Sequence, residues 1–183
     1  MAMAAHGGVD WRNESNHNVE VRFATLQWLF PVVIVLHNLE EAVWLPGWAN
    51  RTGFWRTPVS PRVFRFVVAV LTVLAVAVTW QSARSGAQTS WTYLMFGCMV
   101  ATLANAVYPH LALLISRRSY MPGTATAVAL NLPVLSFLVA SALTERQVSG
   151  WKCVAYAVGV PALLLLSLVA LFKPGRLRIT ERQ

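Results

Sequence analysis

The stretch PVVIVLHNLEEAVWLPGW, residues 31–48, decides the fold because an apolar run continues without a break into a group of ionisable side chains. The apolar run from Phe23 to Leu36 is fourteen residues long. A helix needs about 20 residues to cross a hydrocarbon core of ~30 Å. The helix must therefore continue through His37, Glu40 and Glu41, which places an imidazole and two carboxylates inside a membrane span.

The composition of the whole chain fits a membrane protein. Of 183 residues, 56% are hydrophobic and 12% are charged, whereas soluble domains are about 25% charged. The basic residues cluster around long apolar stretches that show no strand-like alternation, so the stretches are predicted to be helices. We therefore predict an all-α polytopic membrane bundle of about five transmembrane helices, at about 23–46, 64–82, 91–116, 124–144 and 152–172.

The charge distribution predicts domain organisation and orientation. We expect one transmembrane domain over residues 23–172, a polar and flexible N-terminus over 1–22, and a basic tail over 173–183. With five spans, one membrane face holds ten of the fifteen Lys and Arg residues. The positive-inside rule places that face and the C-terminus in the cytoplasm, and we expect a bacterial inner membrane. The net charge of +8 then reflects the membrane surface and not a nucleic acid.

The ionisable residues of the first span share one helical face. Glu40 and Glu41 follow His37 by three and four residues, so all three side chains project together. An ionisable group within a membrane is costly unless it is paired, and it indicates a functional site. The alternative is that the glutamates reach the membrane surface and pair with loop arginines such as Arg51.

Polar residues of two other predicted spans lie at the same depth. Counted from the membrane end nearest to each, His37, His110 and Asn131 lie roughly 6–12 Å below one shared membrane face. This agreement in depth supports a functional site at that level of the membrane. Pro109 and Pro133 each remove a backbone amide in these spans, and the carbonyls that they free often line a cavity.

The RRSYMPGTATA segment, residues 117–127, precedes the fourth span. Thr124 or Thr126 can cap that helix, whose first amides attract anions. With Arg117 and Arg118 beside them, these groups could bind the anionic head group of a substrate. The alternative is an ordinary helix cap with arginines that only set the topology.

The motif His37-Asn38-Leu39-Glu40-Glu41 reads H-x-x-E-E. With His110, the Pro122-Gly123-x-x-Thr126-Ala127 run and Asn131, it resembles the HXXEE-domain family of small bacterial integral-membrane proteins. The resemblance covers about residues 25–170. It implies a site inside the membrane at these residues, and it does not imply a particular reaction.

The side chains themselves suggest the chemistry. Two imidazoles and two carboxylates, from His37, Glu40, Glu41 and His110, could bind one divalent metal, zinc or iron. We expect His37, Glu40 and Glu41 to be catalytic, with the glutamate that is not a ligand acting as general acid or base. Asn131, Arg117, Arg118, Thr124 and Thr126 are the predicted substrate-binding residues.

Three functions remain open at this point. The first is a metal-dependent membrane enzyme that isomerises, cyclises or hydrolyses a lipophilic small molecule. The second is a metal-free isomerase or cyclase in which a glutamate protonates a terpenoid-like substrate. The third is a proton- or cation-coupled transporter, because intramembrane Glu and His also form ion pathways. The expected partners are the bilayer and a lipophilic substrate, and the oligomeric state is left open.

Overall fold

The computed structural model describes residues 23–54 and 60–171. Five helices in these ranges are long and apolar enough to cross a membrane, and we call them spans 1 to 5: Phe23–Thr52, Pro61–Ser85, Ser90–Arg117, Thr124–Thr144 and Gly150–Ala170. Within the described ranges every regular element is helical. The predicted all-α membrane bundle is thereby confirmed. The predicted N-terminal segment 1–22 and basic tail 173–183 lie outside the described residues.

The regular helices within these spans have individual bounds. Span 1 contains the helix Leu29–Thr52, span 2 is the helix Pro61–Ser85, and the helix Gly150–Leu171 continues one residue beyond span 5. Spans 3 and 4 are composite. Their pieces in chain order are Ser90–Asn105, the π-helical Ala106–Leu111 and Ala112–Arg117 in span 3, then Thr124–Thr126, the π-helical Ala127–Asn131 and Leu132–Thr144 in span 4.

Span 1 is longer than predicted, because its helix continues through Pro46 to Thr52. Proline removes the amide that would bind the carbonyl four residues earlier, here that of Ala42. The Nε atom of Arg65 in span 2 donates to this carbonyl at 3.0 Å and replaces the missing bond. The helix ends at Gly53, whose φ of 66° is the left-handed conformation of a helix C-terminus.

Spans 1, 3 and 4 form the main apolar core, with contributions from span 2. Many large apolar side chains outside this core are exposed, as expected for a surface that faces lipid. Span 5 packs on span 3 from outside: a Cβ atom on Gly97 would lie 2.6 Å from the carbonyl oxygen of Tyr156, so a residue without a side chain allows the close approach. The buried core side chains include Phe30, Val33, Ile34, Met95, Met99, Leu135 and Leu138.

Irregular backbone in spans 3 and 4 lies where the site forms. Tyr108 departs from helical geometry, with φ −132° and ψ 119°, because the residue before a proline avoids the α region. Span 3 is therefore kinked at Tyr108–Pro109. A short connection leads into span 4, so the π-helical segments Ala106–Leu111 and Ala127–Asn131 contact each other across the bundle. π-helical turns occur often at functional sites.

Candidate metal centre

Three predicted site residues meet at the centre of the bundle: His37 and Glu41 from span 1, and His110 from span 3. The Oε1 atom of Glu41 lies 3.1 Å from Nε2 of His110 and 3.5 Å from Nε2 of His37. The two imidazole rings stand edge to face, with centroids 5.1 Å apart. His37 is 2% exposed and His110 is fully buried. We call these three residues the His–Glu–His cluster.

The cluster has the dimensions of a divalent-metal site. One potential ligand atom from each residue lies within 4.8 Å of the others. Zinc binds histidine nitrogen and carboxylate oxygen at about 2.0–2.2 Å, and tetrahedral angles then separate two ligand atoms by roughly 3.3 Å. The distances of 3.1 and 3.5 Å from Glu41 to the two imidazoles lie on either side of that value. The ligand atoms of the two imidazoles lie within 4.8 Å of each other, so binding of an ion would draw them closer together.

Glu40 is turned away from this cluster and binds the start of span 4. Its Oε1 atom accepts hydrogen bonds from the Gly123 amide at 2.8 Å and from the Tyr120 hydroxyl. Its Oε2 atom accepts from the Thr126 amide at 3.0 Å and from the Thr126 hydroxyl at 2.7 Å. Four donors surround one carboxylate that is 7% exposed. Glu40 thus serves as an internal anion at the helix start, where partial positive charge favours it.

This arrangement corrects the expectation of a substrate anion at the same helix start. The amides of Gly123 and Thr126 donate to Glu40, so the protein's own carboxylate occupies that position. Arg117 and Arg118 are exposed and make no described contact with the cluster. The alternative in which the glutamates pair with Arg51 also differs from the structure, in which both carboxylates have other partners.

Thr126 connects Glu40 to His37. Its hydroxyl oxygen lies 3.0 Å from Nδ1 of His37 and 2.7 Å from Oε2 of Glu40. A hydroxyl has one proton, and a carboxylate can only accept. The Thr126 hydroxyl also lies 3.2 Å from the Gly123 carbonyl, but the shorter contact with the charged carboxylate directs its proton to Glu40. Thr126 then accepts the Nδ1 proton of His37. This inference leaves a lone pair on Nε2 of His37, directed toward the cluster, as a metal ligand requires.

The second imidazole is held in a similar way. The Nδ1 atom of His110 lies 3.4 Å from the Thr124 hydroxyl, and its Nε2 atom faces Glu41. Gly123 closes this side of the cluster, with a positive φ of 96°. A Cβ atom at Gly123 would lie 2.5 Å from Cε1 of His110 and 2.9 Å from Cγ of Glu41. Only glycine fits between the helix start and the cluster.

Asn131, predicted to bind substrate, is fully buried, and neither of its side-chain polar atoms has a hydrogen-bond partner among the described residues. A buried amide without partners is costly. Asn131 therefore has a donor and an acceptor available for a bound molecule, in the π-helical segment next to the cluster. The structure places it in the bundle interior, as its predicted depth required. No described contact joins it to the three cluster residues.

Two residues near the site were not identified from the sequence. Asn105 places its Nδ2 atom 3.3 Å from Nε2 of His37 although the residue as a whole is exposed. Asn105 is the last residue of the helix Ser90–Asn105, and its polar side chain in an otherwise apolar stretch of span 3 is the signal that could have identified it.

Tyr120 is the second of these residues and donates to Glu40 from the connection between spans 3 and 4. Burial, the hydrogen bond to Glu40 and the negative charge of Glu40 all raise the pKa of Tyr120 above its ordinary value of 10.0. The phenol therefore keeps its proton as a donor to Glu40.

Comparison with known proteins identifies the family of the chain. The family described as "Protein of unknown function with HXXEE motif" matches residues 28–138, a range that includes the whole cluster and the start of span 4. The chain belongs to the HXXEE family. The uncharacterized protein YrkK of Bacillus subtilis (strain 168) is 31% identical over 147 residues, which cover 80% of this chain and 92% of the relative. No solved structure matches.

Proposed function

We propose that this HXXEE protein is a membrane metalloenzyme that uses the His–Glu–His cluster to act on a lipophilic small molecule. The observation that carries the proposal is the position of Glu41 Oε1 between the two Nε2 atoms, at 3.1 and 3.5 Å. A His₂Glu set with an open position is the ligand arrangement of known catalytic zinc sites. Iron is the other candidate, because imidazole and carboxylate also suit it.

The two glutamates have separate roles in this proposal. Glu41 is the carboxylate ligand, together with His37 and His110. Glu40 accepts four hydrogen bonds at the start of span 4, so it has little capacity left to accept a proton from a substrate. Through Thr126 it instead fixes the tautomer and orientation of His37, in the way that second-sphere carboxylates orient histidine ligands.

A divalent metal bound here would activate a water molecule or polarise a carbonyl or phosphoryl oxygen. Hydrolysis of a lipophilic ester, amide or phosphoester is the reaction that this ligand set supports best. Asn105 is exposed and its amide reaches Nε2 of the buried His37, so this side chain connects the cluster to the surface of the bundle, where a substrate from the bilayer would arrive. Asn131 supplies a buried amide able to bind a polar group of the substrate.

A metal-free isomerase or cyclase is the second candidate. The hydrogen bond between His110 and Glu41 would be complete without a metal, and Glu41 would then act as the proton donor. Cation- or proton-coupled transport is the alternative from another class, since it would use the same buried carboxylate.

Turnover experiments separate these functions. Wild-type protein and Glu41→Gln would be reconstituted in vesicles of total lipid extract, and products would be followed by mass spectrometry before and after chelation and zinc or iron restoration. The metalloenzyme predicts new products that disappear on chelation and return with metal. Products that survive chelation indicate the acid–base reaction. Movement of ions across the vesicle membrane without products indicates transport.

We also propose that the protein lies in a bacterial inner membrane with its C-terminus in the cytoplasm. Ten of fifteen Lys and Arg residues support this orientation. Fusions of a cytoplasm-active and a periplasm-active reporter to the C-terminus test it, and activity of only the periplasmic reporter would reverse it.

A further inference from the structure

A cavity at the basic membrane face has no part in the proposed metal chemistry. It has a volume of about 440 Å³ and lies between the last turns of span 1 and the connection that contains Tyr120. Its lining combines the aromatic side chains of Trp44, Trp48 and Tyr120 with the guanidinium group of Arg51. Aromatic and basic residues are the groups that proteins place at the level of lipid head groups.

Arg51 is the charged group of this cavity. It lies in the last turn of the helix Leu29–Thr52, and the ion pairs found in the described residues involve only the His–Glu–His cluster. No described carboxylate therefore neutralises the Arg51 guanidinium. An unpaired guanidinium beside an open cavity can bind a phosphate group through two parallel hydrogen bonds.

Gly47 lines the cavity beside Arg51. A Cβ atom at this position would meet only the end of the Arg51 side chain, at 3.4 Å, so the absence of a side chain leaves space beside the guanidinium. Gly47 is helical and exposed, and glycine within a helix is less favourable than alanine. The helix thus contains a glycine, which disfavours the helical conformation, at the position where a larger side chain would fill the cavity.

An apolar surface runs from the cavity toward the bilayer centre. Leu36, Leu39 and Val43 follow one another at helical spacing and are 43%, 59% and 50% exposed. They lie on the same side of span 1 as Gly47 and Arg51, because residues three and four apart share a helical face. A cation at the membrane face and an apolar strip below it match a phosphate group and an acyl chain.

We propose that this cavity binds the head group of an anionic phospholipid, with its phosphate on Arg51 and an acyl chain along Leu36, Leu39 and Val43. The site requires no metal and does not depend on the proposed reaction. Tyr120 belongs to both regions, since it lines the cavity and donates to Glu40. A bound lipid would therefore contact the side chain that holds Glu40 in place.

Native mass spectrometry of the full chain in detergent tests this site. The probes are phosphatidylglycerol and phosphatidylcholine with the same acyl chains, and the measured quantity is the affinity of the first lipid that binds. Wild type is compared with Arg51→Gln, which removes the cation, and with Gly47→Leu, which fills the cavity and retains the cation. Arg84→Gln is the matched control, because Arg84 ends span 2 at the opposite membrane face.

We expect phosphatidylglycerol to bind more tightly than phosphatidylcholine, and both Arg51→Gln and Gly47→Leu to weaken its binding about tenfold. Arg84→Gln should bind as wild type does. Equal binding of the two lipids, or unchanged phosphatidylglycerol binding in Arg51→Gln, would overturn the proposal. Unchanged phosphatidylglycerol binding in Gly47→Leu would also overturn the proposal, because the lipid would then bind Arg51 at the surface and not within the cavity. Displacement of the lipid by excess inorganic phosphate would reassign the site to a free anion.

Discussion

Glu40 and Glu41 are adjacent in sequence, yet their carboxylates bind different partners. Glu41 contacts two imidazoles at 3.1 and 3.5 Å, whereas Glu40 accepts hydrogen bonds from the start of span 4, including 2.8 Å from the Gly123 amide. A rotation of about 100° separates consecutive residues on a helix, so one helix turn presents carboxylates to two neighbouring spans. The double glutamate of the motif thus places a candidate metal ligand, Glu41, next to Glu40, which binds the start of span 4.

The first prediction contrasts the two glutamates by stability. Glu40→Gln removes the negative charge and replaces one carboxylate oxygen with an NH2 group that cannot accept from the helix start, and each charge-assisted hydrogen bond contributes about 1.5–3 kcal/mol. We expect Glu40→Gln to lower Tm in detergent by roughly 5–10 °C. Glu41→Gln should keep Tm within about 3 °C of metal-free wild type, since Glu41 makes no such contacts with a helix start.

Thermal unfolding followed by circular dichroism measures both variants. Glu145→Gln is a matched control, because within the described residues the Glu145 carboxylate accepts one hydrogen bond, from the Phe23 amide at 3.1 Å, and it lies far from the cluster in the chain. Equal losses of Tm in Glu40→Gln and Glu41→Gln would contradict the division of roles.

The sequence was sufficient to predict the helical membrane fold and the approach of His37 to His110. Fourteen apolar residues could not cross a bilayer without including HNLEE, and depth counted along three spans placed the imidazoles at one level. These inferences need only the rise per residue of a helix and the fact that successive spans cross the membrane in opposite directions. They hold because hydrocarbon allows few backbone structures.

The sequence could not separate Glu40 from Glu41, because both lie on the helical face of His37. Their difference arises from the position of span 4, which no local pattern specifies. The same reason explains why the helix-start amides were assigned to a substrate: their occupant, Glu40, lies 83 residues earlier in the chain. The extension of span 1 beyond Pro46 depends on Arg65, again a contact between spans.

The second prediction concerns the hydroxyl that orients His37. Thr126→Val retains the shape of the side chain and removes the connection between Glu40 Oε2 and His37 Nδ1. Loss of such an orienting partner typically lowers metal affinity about 10–100-fold, and we expect that loss here. Thr126→Ser retains the hydroxyl and should bind metal as wild type does. Competition with a chromophoric chelator measures the affinities, and equal affinities of the Val and Ser variants would show that the hydroxyl has no such role.

The third prediction concerns the glycine that closes the cluster. Gly123→Ala places a Cβ atom 2.5 Å from His110 Cε1 and also imposes the cost of a positive φ. Gly53→Ala is the control, since Gly53 has a φ of 66° with nothing within 4 Å of the added atom. The control should retain metal binding and lose only about 1 kcal/mol of stability.

Gly123→Ala should lose metal binding at least about tenfold because the added carbon displaces a ligand. The affinity is measured with the same chelator competition. A Gly123→Ala protein that binds metal as tightly as Gly53→Ala would show that the close approach is not needed for the cluster.

The fourth prediction concerns pH and Tyr120. Burial, and to a lesser extent the hydrogen bond to Glu40, raise the pKa of this phenol above 10.0. The hydrogen bond from the protonated phenol to Glu40 therefore stabilises the folded state fully below pH 10.0. The contribution is lost as pH rises through the raised value. Tyr120→Phe should therefore lower Tm at pH 8, and the difference from wild type should shrink above about pH 10. Tyr108→Phe is the control, because Tyr108 is 76% exposed. A difference that grows with pH would contradict this assignment.

The metal content of the purified protein shows whether the His–Glu–His cluster binds an ion. The chain would be purified in detergent through a tag that contains no histidine, supplied with zinc or iron, desalted and measured by elemental analysis beside His37→Ala, His110→Ala and Glu145→Gln. The account predicts about one divalent ion per chain in wild type and in the Glu145 control, and almost none in either histidine variant. Wild-type protein without metal, or histidine variants that retain as much metal as wild type, would contradict it.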